Sequence, residues 1–295
     1  MNIGKKLLSL LTVFCLTLSL VPTVALAADA TSVTVDETSV VGSSTTYYRN
    51  NGTTSRLQTG SENNYNVKYE PDSHTLTLNN YSGGLIWSTG DLIISLKGTN
   101  YITSGSNGIY SDGKLTINGP GSLILTSSTN GTTVYAEDTI TIQNGAKVTA
   151  PGGTSGQSIH LNTDGKQIII TGSGTVVNAI DGSTTGIIRC GLYESQSTVY
   201  TGEIHIRDGA KLQATKIEGT LIINNVTQNL TNGNLTNNEA SASTGFKISG
   251  TVNDGQKIVE GASVQLAPTG TAAIPAVQMA NILSRMSLLG PIQFR

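Results

Sequence analysis

A repeat of short apolar strands limits the possible folds of this chain more than any other feature of its sequence. Each strand follows a turn and is followed by a glycine-containing turn and a further extended segment. The five strands are Leu92–Ile94, Leu115–Ile117, Ile140–Ile142, Ile168–Ile170 and Ile204–Ile206. Their last isoleucines are 23, 25, 28 and 36 residues apart. A unit of this length cannot bury its own apolar face, whereas stacked units share one continuous core.

The repeat therefore predicts an all-β chain folded as a parallel β-solenoid, in which each unit hydrogen-bonds to the next. An antiparallel sandwich would also contain many strands, but strand, glycine turn and strand would not recur in one fixed order. The growing spacing indicates loops inserted between equivalent strands, and such loops usually gather on one face. Frequent turns also account for the 34 glycines of the chain.

The composition excludes several classes of protein. With 17 Lys and Arg against 19 Asp and Glu, the chain cannot supply the basic stripe that binding of nucleic acid requires. Only 12% of the residues are charged, about half of the ~25% that is usual, and β-branched residues are abundant, which argues against disorder. Long helices are not expected, because Gly, Asn, Ser and Thr outnumber the strong helix formers.

Residues 1–27 have the pattern of a secretory signal peptide. Lys5 and Lys6 precede the apolar run Leu7–Leu20, and Ala25–Ala27 provides small residues for cleavage. No second such run follows, so we expect a secreted or cell-surface protein without a transmembrane segment in the mature chain. The mature chain would retain one cysteine, Cys190, which we expect to be an inert thiol that forms no internal disulfide.

A second periodicity lies just before each of these strands. An aliphatic residue recurs at intervals of 23, 25 and 25, at Ile86, Ile109, Val134 and Ile159. The residue after it recurs with the same spacing and carries a ring each time, at Trp87, Tyr110, Tyr135 and His160. Neighbours along a strand point to opposite faces, so an aliphatic row in the core predicts a row of rings facing solvent. We call these four ring residues the aromatic ladder.

The aromatic ladder is the main candidate for a functional site, with a carbohydrate-binding role predicted for all four residues. Exposed rings offer apolar platforms to the C–H faces of sugars, and the rise per repeat approaches the length of one sugar. An extended polysaccharide could therefore lie along the solenoid axis. The alternative is a purely structural role, because aromatic pairs on adjacent strands contribute about 0.2–1 kcal/mol each.

Acidic residues beside the ladder suggest a weaker possibility, a Ca²⁺ site. Asp112 and Asp164 each precede a glycine, with Glu137 and Asp138 between them, and stacked carboxylates could bind Ca²⁺. Ordinary Asp-Gly turn chemistry explains the same residues. The sequence thus establishes no cofactor, and no metal ligand is assigned.

Catalysis has little support in the sequence. His74 and His205 lack a Cys or His partner at metal-ligand spacing, and we expect both to be solvated. The mature chain contains neither a Gly-x-Ser-x-Gly elbow nor a phosphate loop. Many β-solenoids are polysaccharide lyases, so that activity stays open, although no arginine stands in register with the acidic positions. We predict a protein that is not an enzyme.

Three segments resemble a known family of secreted bacterial carbohydrate-binding β-helix proteins. They are Tyr65–Asp72, Thr75–Asn80 and Gly108–Ile117, and the resemblance extends over about residues 31–225. It implies a right-handed parallel β-helix, with the shape of pectate lyases, that binds plant-type polysaccharide without known cleavage. It further implies cellulose or acidic pectic glycans as partners, sometimes with Ca²⁺. Residues 28–227 would form this domain with an N-terminal cap.

The C-terminal part has a different character. Residues 228–245 have the composition of a polar linker, and 246–277 resemble the first two strands of a carboxypeptidase-regulatory-like β-sandwich. If the segment after Val277 is back-translated and read two bases later, the genetic code permits a sequence that continues the sandwich. We therefore expect 278–295 to be a non-native, frame-shifted tail. The DNA tests this, since early stop codons in the alternative frame would exclude it.

Two functions from different classes remain open at this stage. The first is a non-catalytic polysaccharide-binding module of a secreted or surface protein. The second is a passive stalk or adhesin that displays other domains, in which the aromatic ladder only stabilises the strands. We expect a monomer in either case.

Overall fold

The computed structural model describes a chain built almost entirely of β-strands. It describes residues 32–50, 56–127, 131–152, 157–180, 186–192, 200–235, 239–242, 252–253 and 257–258. Within these ranges the helical structure is a single 3₁₀ turn, Pro71–Ser73. No helix in the same ranges has the length and apolarity needed to cross a membrane. The predicted all-β class is confirmed.

The N-terminal strands pair with each other mainly in antiparallel fashion. They are β1 (Val33–Val35), β2 (Thr38–Ser39), β3 (Thr46–Arg49), β4 (Gln58–Thr59), β5 (Val67–Glu70) and β6 (Thr75–Asn79). Strand β1 pairs antiparallel with the repeat strand Ile86–Ser88, and β5 pairs antiparallel with β6. These strands therefore cover the N-terminal end of the repeats.

Repeats of three strands follow. Their strands are β7 (Ser82–Gly83), β8 (Ile86–Ser88), β9 (Leu92–Lys97), β10 (Thr99–Ser104), β11 (Ile109–Ser111), β12 (Leu115–Asn118), β13 (Ser122–Ser127), β14 (Val134–Ala136), β15 (Ile140–Gln143), β16 (Lys147–Thr149), β17 (Gln157–Leu161), β18 (Gln167–Thr171), β19 (Val176–Asn178), β20 (Ile187–Cys190), β21 (Glu203–Arg207), β22 (Lys211–Gln213) and β23 (Lys216–Ile223). The chain continues with β24 (Val226–Asn234), β25 (Glu239–Ser241), β26 (Val252–Asn253) and β27 (Lys257–Ile258).

Each repeat strand pairs in parallel with the equivalent strand of the next repeat. Sheet 1 consists of β8, β11, β14, β17, β20 and β23. Sheet 2 consists of β6, β9, β12, β15, β18, β21 and the second half of β23. Sheet 3 consists of β7, β10, β13, β16, β19 and β22. These long parallel sheets are compatible with a β-solenoid, and no sheet closes on itself in the described residues.

Alternating burial along the strands places the core between the sheets. In sheet 1 the aliphatic row predicted from the sequence, Ile86 to Ile159, is fully buried, and Ile188 and Ile217 extend it. Sheet 2 contributes Leu and Ile in the same way, with Leu115 and Ile117 buried on either side of an outward Thr116. Because the aliphatic row of sheet 1 points inward, the opposite face of that sheet is the outer one.

The turns between strands use residues that adopt left-handed backbone. Between β15 and β16, Asn144 has φ +57° and Gly145 has φ +78°. Asp208 and Gly209 repeat this pair between β21 and β22, with φ +56° and +84°. Asn, Asp and Gly accept this conformation most readily, which explains why these residues occur at these two turns.

Antiparallel strands cover the other end of the sheets. Strand β24 pairs with β23, and β25 pairs with β22. Within the segment 228–245 that the composition predicts to be a linker, residues 228–234 and 239–241 are extended and pair with existing strand edges. The predicted signal peptide and tail lie outside the described residues, as does most of the predicted sandwich fragment, of which only the β26–β27 pair is described.

Candidate functional site

The aromatic ladder forms in the predicted register on the outer face of sheet 1. Trp87 lies opposite Tyr110, Tyr110 opposite Tyr135, and Tyr135 opposite His160, on β8, β11, β14 and β17. At the N-terminal end of the row, Thr34 of β1 lies opposite Trp87. The four side chains therefore follow the direction in which the repeats stack.

The rings stack on one another more closely than the sequence indicated. The centroids of Tyr110 and Tyr135 are 5.0 Å apart, with ring planes 7° from parallel. Trp87 and Tyr110 are 6.5 Å apart and 15° from parallel. His160 meets Tyr135 edge-to-face, at 5.4 Å and 90°. All three rings before His160 are half-buried.

This stacking corrects the expectation that the rings present open faces. A sugar placed between two rings would need a contact distance of about 3.5–4 Å to each ring. The two rings would then have to be roughly twice that distance apart. The 5.0 Å spacing of Tyr110 and Tyr135 leaves no such space. Solvent therefore meets the rims of these rings, which carry C–H edges and phenol oxygens, and not their faces.

His160 also differs from the prediction, because it is buried instead of facing solvent. The residue is only 7% exposed, and its Nε2 atom has no hydrogen-bond partner among the described groups. Burial, with the positive charge of Arg189 nearby, lowers the pKa of His160 to about 4. The imidazole is therefore neutral at pH 7, and His160 closes the ladder instead of contributing an exposed ring.

Two residues that the sequence analysis missed continue the row. Arg189 lies opposite His160, and Glu218 lies opposite Arg189. The Nε atom of Arg189 donates to Glu218 at 2.5 Å, and its guanidinium lies 4.6 Å from the ring centre of Tyr200. Burial favours a higher pKa for Glu218, but hydrogen bonds from Arg189 and Lys216 outweigh it and lower the pKa. The buried Ile188 and Ile217 that precede them carry the same sequence signal, but neither Arg189 nor Glu218 has a ring, so the recurrence of rings does not include them.

Carboxylates line one side of the aromatic ladder, two residues after the rings. The phenol of Tyr135 donates to Glu137 at 2.5 Å, and that of Tyr110 donates to Asp112. Burial and the neighbouring carboxylate raise the pKa of both phenols. The exposed rim thus combines ring edges with phenol and carboxylate oxygens.

The acidic residues do not form the row that the Ca²⁺ hypothesis assumed. Since Ser111 pairs with Ala136, Asp112 aligns with Glu137 and not with Asp164. The carboxylate of Asp164 instead accepts from the backbone of Leu192, and Asp138 pairs with Lys166 at 2.7 Å. Among the described residues, no three His, Cys, Asp or Glu side chains are grouped so that they could hold a metal ion.

The remaining candidates of the sequence analysis lie away from the ladder. His205 is on the outer face of sheet 2, where its Nε2 lies 2.9 Å from Glu203, so it is partnered and largely covered instead of solvated. His74 ends the 3₁₀ turn with φ +49°. Cys190 is fully buried, and burial raises the pKa of its thiol to about 12, which keeps it protonated.

Comparison of the chain with family models, with curated proteins and with solved structures finds no match. Arguments about function therefore depend on the aromatic ladder and its surroundings.

Proposed function

We propose that this chain is a non-catalytic polysaccharide-binding module of a secreted or cell-surface protein. The glycan lies along the outer face of sheet 1, beside Trp87, Tyr110 and Tyr135. The fold is a right-handed parallel β-helix, as the resemblance implies, and the beginning of a carboxypeptidase-regulatory-like domain follows it. His160 supports the end of the row from within.

One observation carries the proposal, the straight row of half-buried rings on adjacent parallel strands. Strands in a sheet are about 4.8 Å apart, so equivalent groups recur at nearly the length of one sugar in an extended chain. A polymer aligned with the axis would therefore meet similar chemistry at each repeat, and each added sugar would add similar contacts.

The contact mode follows from the stacking of the rings. The edges of aromatic rings are electropositive and attract sugar oxygens, whereas phenol and carboxylate oxygens accept hydrogen bonds from sugar hydroxyls. Tyr110 and Tyr135, with Asp112 and Glu137, supply these groups in two neighbouring repeats. The glycan would bind across the rims and not between the rings.

The test is affinity electrophoresis of the full chain in gels that contain hydroxyethylcellulose, xylan or polygalacturonate. We expect at least one glycan to retard the wild-type protein and to retard the Trp87→Ala/Tyr110→Ala/Tyr135→Ala variant much less. Tyr101→Ala is the matched control, because this ring is 47% exposed on the outer face of sheet 3, away from the ladder.

A second variant guards against loss of folding in the triple substitution. Tyr110→Phe/Tyr135→Phe keeps the stacked rings and removes the phenol oxygens with their hydrogen bonds to Asp112 and Glu137, so we expect a folded protein with a slightly lower melting temperature and weaker retardation. Unretarded migration of the folded wild-type protein in all three gels would contradict the proposal.

A passive stalk is the second candidate, and the ring contacts favour it. Tyr110 and Tyr135 cover each other's faces, and Glu137 accepts the phenol of Tyr135, so the ladder satisfies itself without a ligand. Such stacked pairs contribute about 0.5–1.5 kcal/mol beyond their buried area. For a stalk, the triple alanine variant would lose stability while all gel mobilities stayed equal.

A further inference from the structure

The charge beside the aromatic ladder is unevenly compensated. Asp112 and Glu137 follow the paired residues Ser111 and Ala136, so they lie directly after the ends of the neighbouring parallel strands β11 and β14. Within the described part of the chain, neither carboxylate has a basic partner within ion-pair distance. Each instead accepts the phenol of the ring two residues before it.

Two lysines that directly precede strands of sheet 2 are paired with other acids. The Nζ atom of Lys114 lies 3.8 Å from Asp91, and that of Lys166 lies 2.7 Å from Asp138. Like charges side by side on adjacent strands are destabilising, so Asp112 and Glu137 do not stabilise the sheet by their charges. A ligand that brings positive charge or hydrogen-bond donors to this rim would compensate their negative charges.

We propose that Asp112 and Glu137 make the ladder select glycans by charge, with amino sugars bound more tightly than neutral sugars, and neutral sugars more tightly than uronates. This inference rests on the proposed glycan-binding function, and it identifies Asp112 and Glu137 as specificity-determining residues. The ammonium groups of two neighbouring sugars meet these two carboxylates, whereas a uronate meets a like charge there. Acidic pectic glycans are then the poorest ligands of this face.

The experiment compares three hexasaccharides with one backbone, the β-1,4-linked hexamers of glucosamine, glucose and glucuronate. Isothermal titration calorimetry of the full chain at about pH 6 and low salt gives the three dissociation constants. We expect each step in the ranking to be about five- to tenfold, as two partly exposed charge contacts suggest. Added salt at 0.5 M should compress the ranking, because it screens exposed charges.

The isosteric variant Asp112→Asn/Glu137→Gln keeps the size of both side chains and removes their charges. We expect its three dissociation constants to fall within about twofold of one another. Glu62→Gln/Asp72→Asn is the matched control, since it removes the same net charge from exposed positions in turns between the N-terminal strands and should retain the ranking.

The outcomes separate the two proposals. If the folded wild-type protein binds none of the hexamers and none of the three gels retards it, the glycan-binding function fails and this inference fails with it. If it binds none of the hexamers although a gel retards it, only the charge selection is wrong. If it binds all three equally, or if the double variant keeps the wild-type ranking, the glycan-binding function stands and the charge selection is wrong. Circular dichroism melts of both variants establish that the compared proteins are folded.

Discussion

His160 occupies a position in the ladder where its neighbours are partly exposed, yet it is 7% exposed. Its surroundings on the C-terminal side explain this, because Arg189 and Glu218 form a covered ion pair directly beside it. A protonated imidazole there would lose its hydration and lie near a guanidinium. Both effects favour the neutral form and lower the pKa of His160 to about 4.

The low pKa of His160 predicts a pH dependence of stability. In the unfolded chain the group titrates near 6.5, so below that pH the unfolded state binds a proton that the folded state does not. The free energy of unfolding should therefore fall by about 1.4 kcal/mol per pH unit from about 6.5 down to about 4. Urea unfolding at intervals across this range measures the slope.

His160→Gln provides the comparison, because it keeps a polar side chain that does not titrate. We expect its free energy of unfolding to vary less steeply between pH 6.5 and 5, by about one proton. Asp138 and Glu218 have pKa values lowered by their basic partners, so they reduce stability at lower pH in both proteins. Equal slopes for the two proteins above pH 5 would show that His160 takes up its proton in the folded chain at the same pH as in the unfolded chain.

At the scale of the strands, one buried polar side chain joins consecutive turns of sheet 3. The Oδ1 atom of Asn100 accepts from the backbone of Tyr81 at 2.9 Å. Its Nδ2 atom donates to the carbonyls of Lys97 and Ser122, at 3.2 and 3.1 Å. Asn100 is fully buried at the start of β10, and Tyr81, whose N–H it accepts, is fully buried as well.

Asn100→Ala should therefore destabilise the chain by about 2–4 kcal/mol, because it leaves buried backbone groups without their side-chain partner. Urea unfolding at pH 7 measures the change. Asn118→Ala is the control, since this partly exposed side chain accepts one bond from Asn144 and should cost less than about 1 kcal/mol. A similar loss of unfolding free energy in both variants would mean that the hydrogen bonds of Asn100 contribute no more to stability than an ordinary surface contact does.

The register of sheet 1 was predictable because the sequence repeats its aliphatic and ring positions with nearly constant spacing. Ile109 and Tyr110 align with Ile86 and Trp87 after 23 residues, and the strands pair in that register. Beyond His160 the longer loops enlarge the spacing, so Arg189 and Glu218 escaped notice although they occupy the same row.

The orientation of the side chains was not predictable in this way. A repeat determines which strand positions face outward, but the stacking of Tyr110 on Tyr135 depends on side-chain torsions that spacing does not determine. The strand β24 was missed for another reason. Its Asn- and Thr-rich sequence is typical of a linker, and it is extended because β23 offers it a free edge.

For the molecule as a whole, the ends of the parallel sheets matter most for solubility. A parallel sheet that ended at β23 and β22 would present unpaired backbone groups to any other strand. Strands β24 and β25 cover these edges, and the pairing of β24 is interrupted by two register shifts. Such irregular, polar outer strands discourage further pairing, which is the usual role of capping elements in repeat proteins.

Removal of these two strands should therefore increase self-association of the protein. A chain that stops after Asn225 exposes the edges of β22 and β23, together with Ile222 and Ile223, which are 8% and 6% exposed in the intact fold. A chain that stops after Ala242 keeps both capping strands and is the matched control. We expect light scattering after size exclusion to give a monomer for the longer chain and concentration-dependent oligomers for the shorter one. If both chains elute as monomers across the concentration range, pairing at this end is prevented by β23 itself, and the capping strands contribute stability without guarding the edge.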